Sequence, residues 1–310
     1  MNAPLETRAG GGPGALVESG RDGDSATGTA TGALPNLIVI GAQKCGTSGL
    51  HSYLRSHPQV SMSTPKELNF FIEERNWRRG VDWYARHFDP STPVRGESSP
   101  NYTAYPQHVG VPERMHAVVP DARLIYLVRD PLHRIAAHWV HNYAKRREKG
   151  DLAATLMHPN TSYLVRSQYF MQLQRFLPYY EMGSRIMVLE QNDLRYDRRE
   201  TLRRVFEFAG VDPEFDHPEF ERERHATSRK RRSTRVGNRL QRLSRTRWGG
   251  RLPKRFWDLL DVPQRMRREI EQPNVAAALP PDALEVLRED AERFRDLVGR
   301  PFEHWTIWSA

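Results

Sequence analysis

The sequence predicts an α/β fold in which a mainly parallel central sheet is flanked by helices in three layers. Short apolar runs recur along the chain: LIVIG at 37–41, ARLIYLVRDP at 122–131 and the opening of RIMVLEQNDL at 185–194. Their β-branched content and continuous hydrophobicity suit strands buried on both faces. Helical segments alternate with them, and strand–helix alternation implies parallel pairing. Two of the runs end on charge, at 41–44 and at 129–130. In a parallel sheet both charged ends lie at the same edge, beyond the carboxyl ends of the strands, where ligands bind.

The elements follow in order. Residues 1–33 are rich in Gly, Ala, Thr and Ser and poor in aromatics. Such a segment buries too little apolar surface to offset its ordering entropy, so a disordered tail is expected before one folded domain, 34–310. After the strand 37–41, residues 47–56 read as a helix with Leu50 and Leu54 on one face. VRGES at 94–98 reads as a short strand, and 112–120 as a helix stopped by Pro120. The strand 122–131 leads into a helix over 133–148 whose basic end suits the helix dipole. Further helices are expected over 168–180 and 199–211, the latter ended near Gly210. Residues 222–247 are basic, densest in SRKRRSTR at 228–235, and 252–310 is mostly helical, with a stop at Gly299. No internal repeat is present.

Composition narrows the function classes. The 310 residues are 38% hydrophobic, enough for a sizeable core, and the formal net charge is +9. A basic surface favours acidic partners, whether nucleotides, nucleic acid, sulfated or phosphorylated ligands or anionic membrane surfaces, and does not choose among them. The basic run lacks interleaved aromatics for stacking on single strands, and no nucleic-acid partner is expected. A lone cysteine, Cys45, forms no intramolecular disulfide. No stretch approaches the roughly 18 apolar residues of a membrane span, and the N-terminus lacks a signal-peptide h-region. A cytoplasmic protein is expected.

The loop after the first strand carries the chemistry. In IGAQKCGTSGL, Gly41 and Gly46 hold the spacing of a phosphate-binding P-loop, but Thr47 stands where its lysine belongs. The lysine is Lys44, inside the loop. A P-loop-like strand–loop–helix turn exposes backbone N–H groups near Gly46, Thr47 and Ser48 to an anion. A lysine within the loop reaches over that anion and neutralises charge on a leaving oxygen. At the third strand end, Asp130 is a candidate metal ligand and Arg129 a second anion contact. His138 and His141 share one helix face, but no third metal ligand is evident.

The stretch IGAQKCGTSGLHSYLRSHPQV resembles the 5′-phosphosulfate loop of the PAPS-dependent sulfotransferase superfamily, in the branch that includes the heparan sulfate sulfotransferases and bacterial relatives. KELNFF (66–71), GVDWYARHF (80–88), GESSPNY (96–102), VPERMHAVVPDARLIYLVRDPLHR (111–134), SQYFMQLQRFLPYY and LVGRPFEHW follow in family order. The resemblance implies sulfuryl transfer from 3′-phosphoadenosine 5′-phosphosulfate (PAPS) to a hydroxyl or amine of a carbohydrate, glycolipid or small-molecule acceptor, with no metal required. It assigns Lys44 to the leaving product nucleotide, PAP. Glu67 becomes the carboxylate base that takes the acceptor proton, with His87 in reserve. Gln43, Lys44, Cys45, Gly46, Thr47, Ser48 and Gly49 form the 5′ side, and Arg129 the 3′-phosphate ligand. Ala137 stands where the family usually places a serine on that phosphate, leaving His138 or the late basic loop to compensate. Arg229, Lys230, Arg231 and Arg232 are candidates to close over the nucleotide. Ser98 replaces a lysine that heparan-type relatives often carry after the Glu of the GE strand end; Glu97 itself orients the site or pairs with Lys44. Alternatives from other classes are a P-loop nucleotide kinase and a non-catalytic basic anion-binding module.

Overall fold

The computed structural model describes residues 32–148, 150–222, 231–232 and 268–310. Five strands form one sheet: β1 (Leu37–Gly41), β2 (Val60–Met62), β3 (Val94–Ser98), β4 (Arg123–Val128) and β5 (Ile186–Glu190), in the order β2-β3-β1-β4-β5. Every pairing is parallel; Leu37 stands opposite Gly96 on one side and Arg123 on the other. The two most apolar runs occupy the centre. Ile38, Val39 and Ile40 of β1 and Leu124 through Val128 of β4 are completely buried. Each such side chain gains about 1.5–3 kcal/mol on burial, which places these two strands between the helical layers rather than at an edge.

The helices are α1 (Thr47–Arg55), α2 (Val81–Ala85), α3 (Val111–Val118), α4 (Pro131–Ala144), α5 (Leu152–Leu156), α6 (Ser162–Val165), α7 (Tyr169–Leu173), α8 (Gln191–Tyr196), α9 (Arg198–Ala209), α10 (Val275–Ala278) and α11 (Pro281–Val298). They flank the sheet in the three-layer arrangement expected. Differences from expectation have local causes. β2 has only three residues, too short a run to show a period. The helix expected over 168–180 stops at Leu173. Pro178 cannot donate to a helical ladder, and the chain reaches Tyr180 through turns. α4 begins earlier than expected, at Pro131 behind an Asp130 cap, and ends by Lys145 with Arg146 at φ 57°. The expected tail, 1–33, lies outside the described residues except for its last two positions, as does most of the basic stretch 222–247.

The late chain returns to the sheet. α11 packs on α7, and the Asp290 carboxylate accepts hydrogen bonds from the amides of Phe170 (3.0 Å) and Met171 (2.8 Å). Burial raises the Asp290 pKa to about 7. Gly299, at φ 65°, ends α11 in the left-handed conformation that glycine adopts without a Cβ clash. Beyond it Trp305 is buried, stacks on Phe302 and donates Nε1–H to Glu190 at 2.8 Å.

Candidate active site

The site grows from the carboxyl end of β1. Gly41 has no room for a side chain: a Cβ there would lie 2.0 Å from Thr103 Oγ1 and 2.8 Å from the Tyr126 ring. The chain then turns through Lys44 at φ 75° and Gly46 at φ 103° into α1. Positive φ at these two positions, with Cys45 between them, turns the backbone sharply into the helix. No side-chain hydrogen bond caps the first turn of α1, which leaves that end to a ligand.

β4 delivers Arg129 to the same edge. Its Nη1 donates to the carbonyl of Lys44 at 3.4 Å, joining the two strand ends that carry charge. Asp130 does not stand as a metal ligand. One of its oxygens caps α4 through the amides of Leu132 (2.7 Å) and His133 (3.1 Å), and the other accepts from the Thr306 amide and from its hydroxyl at 2.7 Å. Among the described residues, no group of three or more His, Cys, Asp or Glu side chains converges as a metal site.

A cleft of about 1060 Å³ opens over the loop. Gln43, Lys44, Gly46, Thr47, Ser48 and Gly49 line one wall, and Lys66 and Glu67 join them. Lys66 bridges the groups: its Nζ lies 3.3 Å from Thr47 Oγ1 and 3.4 Å from Glu67 Oε1. Burial lowers the Lys66 pKa, and Glu67 partly opposes that shift.

Several expected residues take other positions. The Cys45 side chain is fully buried in the core beside the Tyr169 hydroxyl (3.6 Å), and it is not part of the cleft wall. Burial raises the pKa of its thiol. Ala137 is buried and Arg129 does not line the cleft, whereas His138 and His141 do. His138 packs against Tyr163, and burial beside Arg134 holds its pKa well below the usual imidazole range. His87 is not part of the cleft lining; its Nδ1 lies 2.9 Å from the Trp83 carbonyl. Glu97 is wholly buried and accepts from the hydroxyls of Tyr84 (2.6 Å), Tyr102 (2.6 Å) and Ser99 (2.9 Å). Ser98 meets His51 Nδ1 at 3.0 Å, and burial together with Lys66 lowers the His51 pKa to about 4. Arg229 and Lys230 lie outside the described residues. The backbone of Arg231–Arg232 forms a short antiparallel pair with Arg268–Glu269 that contacts α4.

Further residues complete the site, and of these Arg134 closes the motif at 111–134. Arg134, completely buried, donates to Ser167 Oγ (2.6 Å), the Tyr163 carbonyl (2.8 Å) and the Gln43 carbonyl (3.4 Å), and so props the loop from beneath. Arg75, Asn101, Gln107, Arg166 and Gln191 line the cleft from four segments, Asn101 and Gln107 sharing the connection between β3 and α3. The only sequence signal for them was proximity to recognised motifs, as with Asn101 in GESSPNY.

A parallel sheet with a glycine-bounded loop at the end of its central strand, and a cleft walled by cations around one carboxylate, has the make-up of a group-transfer site. The family description "Sulfotransferase domain" matches residues 34–247, and the chain belongs to that family. It is 29% identical over 205 residues to the human bifunctional heparan sulfate N-deacetylase/N-sulfotransferase 2, covering 58% of this chain and 22% of that protein. It is 34% identical over 132 residues to the membrane-associated sulfotransferase kil1 of Dictyostelium discoideum, covering 40% and 27%. The matched region thus spans about a quarter of these curated relatives. The crystal structure of a sulfotransferase from Alicyclobacillus acidocaldarius superposes with a TM-score of 0.60 at 23% identity, over 88% of this chain and 99% of the other, a likeness of fold. No described helix is long and apolar enough to cross a membrane.

Proposed function

We propose that the protein transfers a sulfuryl group from PAPS to a hydroxyl or amine of its acceptor. The observation that carries this reading is the position of Lys44. It stands inside a glycine-bounded loop, on a cleft wall shared with Glu67. The residues fit the donor: the loop amides suit its 5′-phosphate, and a cleft of about 1060 Å³ accommodates a nucleotide. Arg129, at the end of β4, suits the 3′-phosphate after a side-chain rotation from the Lys44 carbonyl. PAPS supplies the sulfuryl group. Glu67 accepts the acceptor's proton as the new S–O or S–N bond forms, and Lys44 neutralises the oxygen released when the S–O bond to phosphate breaks. Lys66 holds Glu67 and Thr47 in one arrangement. The order of motifs supports a place in the heparan-type branch.

Calorimetric titration with PAP, run beside ATP with Mg²⁺, tests the reading. Saturable PAP binding without added metal is expected. Binding of ATP–Mg²⁺ and not of PAP would replace the sulfotransferase reading with a phosphotransferase.

A further inference from the structure

Arg166 is a buried cation whose counterion is not found among the described residues. Only 6% of the residue is exposed, yet no carboxylate of the described residues forms an ion pair with it. Its Nη1 donates to Asn101 Oδ1 at 3.0 Å and its Nη2 to Gln107 Oε1 at 2.6 Å, both neutral amides. Its Nε–H has no hydrogen-bond partner. A guanidinium removed from water is ordinarily compensated by an anion, because neutral acceptors recover only part of its lost hydration. Arg134, the other deeply buried arginine near the site, differs in kind. It is held by backbone carbonyls and a serine hydroxyl beneath the loop and is not part of the cleft wall, whereas Arg166 is.

Arg166 is also fixed with respect to the candidate base. Asn101 turns its amide to Asn69 Oδ1 (3.0 Å), and Asn69 Nδ2 donates to the carbonyl of Glu67 (3.2 Å). One chain of hydrogen bonds therefore runs from the guanidinium to the backbone of Glu67. Asn69 itself is pinned, because its backbone N–H donates to Ser99 Oγ at 2.9 Å. The surrounding field is positive. Burial first, then Arg134 and Arg75, bring the Arg166 pKa down to about 10, with Glu67 the opposing charge. Glu67 is itself paired with Lys66. Exposed Arg75 lines the same cleft.

We propose that Arg166, oriented by Asn101 and Gln107, anchors a second oxyanion subsite beside Glu67, which receives a carboxylate, sulfate or phosphate group carried by the acceptor. The preferred acceptors are then acidic molecules whose anionic group lies close to the reacting hydroxyl or amine. The inference rests on the donor reading above for the identity of the second substrate. The anion site itself rests on the burial and bonding of Arg166.

The test uses the full chain saturated with PAPS, so that the donor position, sulfuryl group included, is already filled. Sodium sulfate is titrated in by calorimetry against sodium chloride at matched ionic strength, and melting temperature is followed in parallel. Saturable sulfate binding to the PAPS complex is expected, with a rise in melting temperature that chloride does not reproduce. Arg166→Gln is expected to weaken sulfate binding roughly tenfold or more, the scale of a charge-assisted fork, while PAPS affinity stays within about twofold. Arg166→Lys, which keeps the charge, is expected to retain part of the sulfate affinity and guards against a folding defect in the first variant. Wild-type protein that binds no sulfate with PAPS present overturns the proposal without any variant. Sulfate binding to the PAP complex alone overturns it too, because the anion would then be occupying the donor's sulfuryl position. Failure of PAPS to bind is seen before sulfate is added and counts against the donor reading; the sulfate titration of the free protein and of Arg166→Gln then still decides the subsite.

Discussion

The guanidinium of Arg129 lies 3.4 Å from the carbonyl oxygen of Lys44, so the ends of β4 and β1 meet across the sheet edge. That carbonyl is a weak partner for a guanidinium, and a phosphate is a stronger one. Arg129→Ala is therefore expected to weaken PAP binding by about 1–3 kcal/mol, the value of a charged hydrogen bond, with little change in unfolding temperature. Calorimetry with PAP and a melting curve check both parts. Unchanged PAP affinity would remove Arg129 from the donor site.

Glu67 sits on the cleft wall with its carboxylate held by Lys66. Glu67→Gln preserves shape and removes the proton acceptor of the proposed mechanism. Turnover is expected to fall by roughly 10²–10⁴-fold with PAP affinity nearly intact. Once an acceptor is in hand, steady-state rates and a PAP titration of the same preparation measure this split. A rise in KM or a loss of PAP affinity with normal turnover would make Glu67 a binding residue instead.

Arg134 predicts a different pattern from Arg129. It is completely buried, and its loss leaves the carbonyls of Tyr163 and Gln43 without this donor. Arg134→Ala is expected to cost on the order of 3 kcal/mol of stability, and to weaken donor binding through a loosened loop. Urea unfolding of the two alanine variants side by side separates a residue that supports the site from one that touches the ligand.

Asp290 gives a pH signature. Its carboxyl rises from the ordinary 3.8 to about 7 in the folded chain. Between those values the folded protein retains a proton that the unfolded chain has released, so this group's stabilisation is greatest at the acid end and is lost as pH rises toward 7. Asp290→Asn has no such proton. The stability of wild type relative to the variant is expected to decline from pH 4 to pH 7 and then level off. Urea unfolding at pH steps across that range checks it, and a flat difference would refute the raised carboxyl.

What the sequence disclosed depended on whether a residue's partners were near it in the chain. β1, its loop and α1 are contiguous, and their glycines, lysine and apolar run could be read directly. Arg129 was legible because a strand end in a parallel sheet has a known edge. Arg166 was not: its meaning comes from Asn101 and Gln107, about sixty positions earlier, and from burial that no local period encodes. Cys45 shows the converse. It sits inside the anion loop by sequence, yet its side chain turns to Tyr169 in the core. Asp130 looked like a metal ligand until the cap of α4 and Thr306 claimed both of its oxygens.

That second claim on Asp130 bears on how the chain can be cut. The family match ends at residue 247, whereas Thr306 shares a carboxylate with the helix that starts beside Arg129. Trp305 fills the core next to Phe294 and bonds Glu190 at the end of β5. An expression fragment trimmed to the matched boundary would expose Tyr169 and deprive Asp130 of one of its two anchors. Swapping segments between relatives in search of new acceptors would have to transplant the closing residues together with the loops they brace.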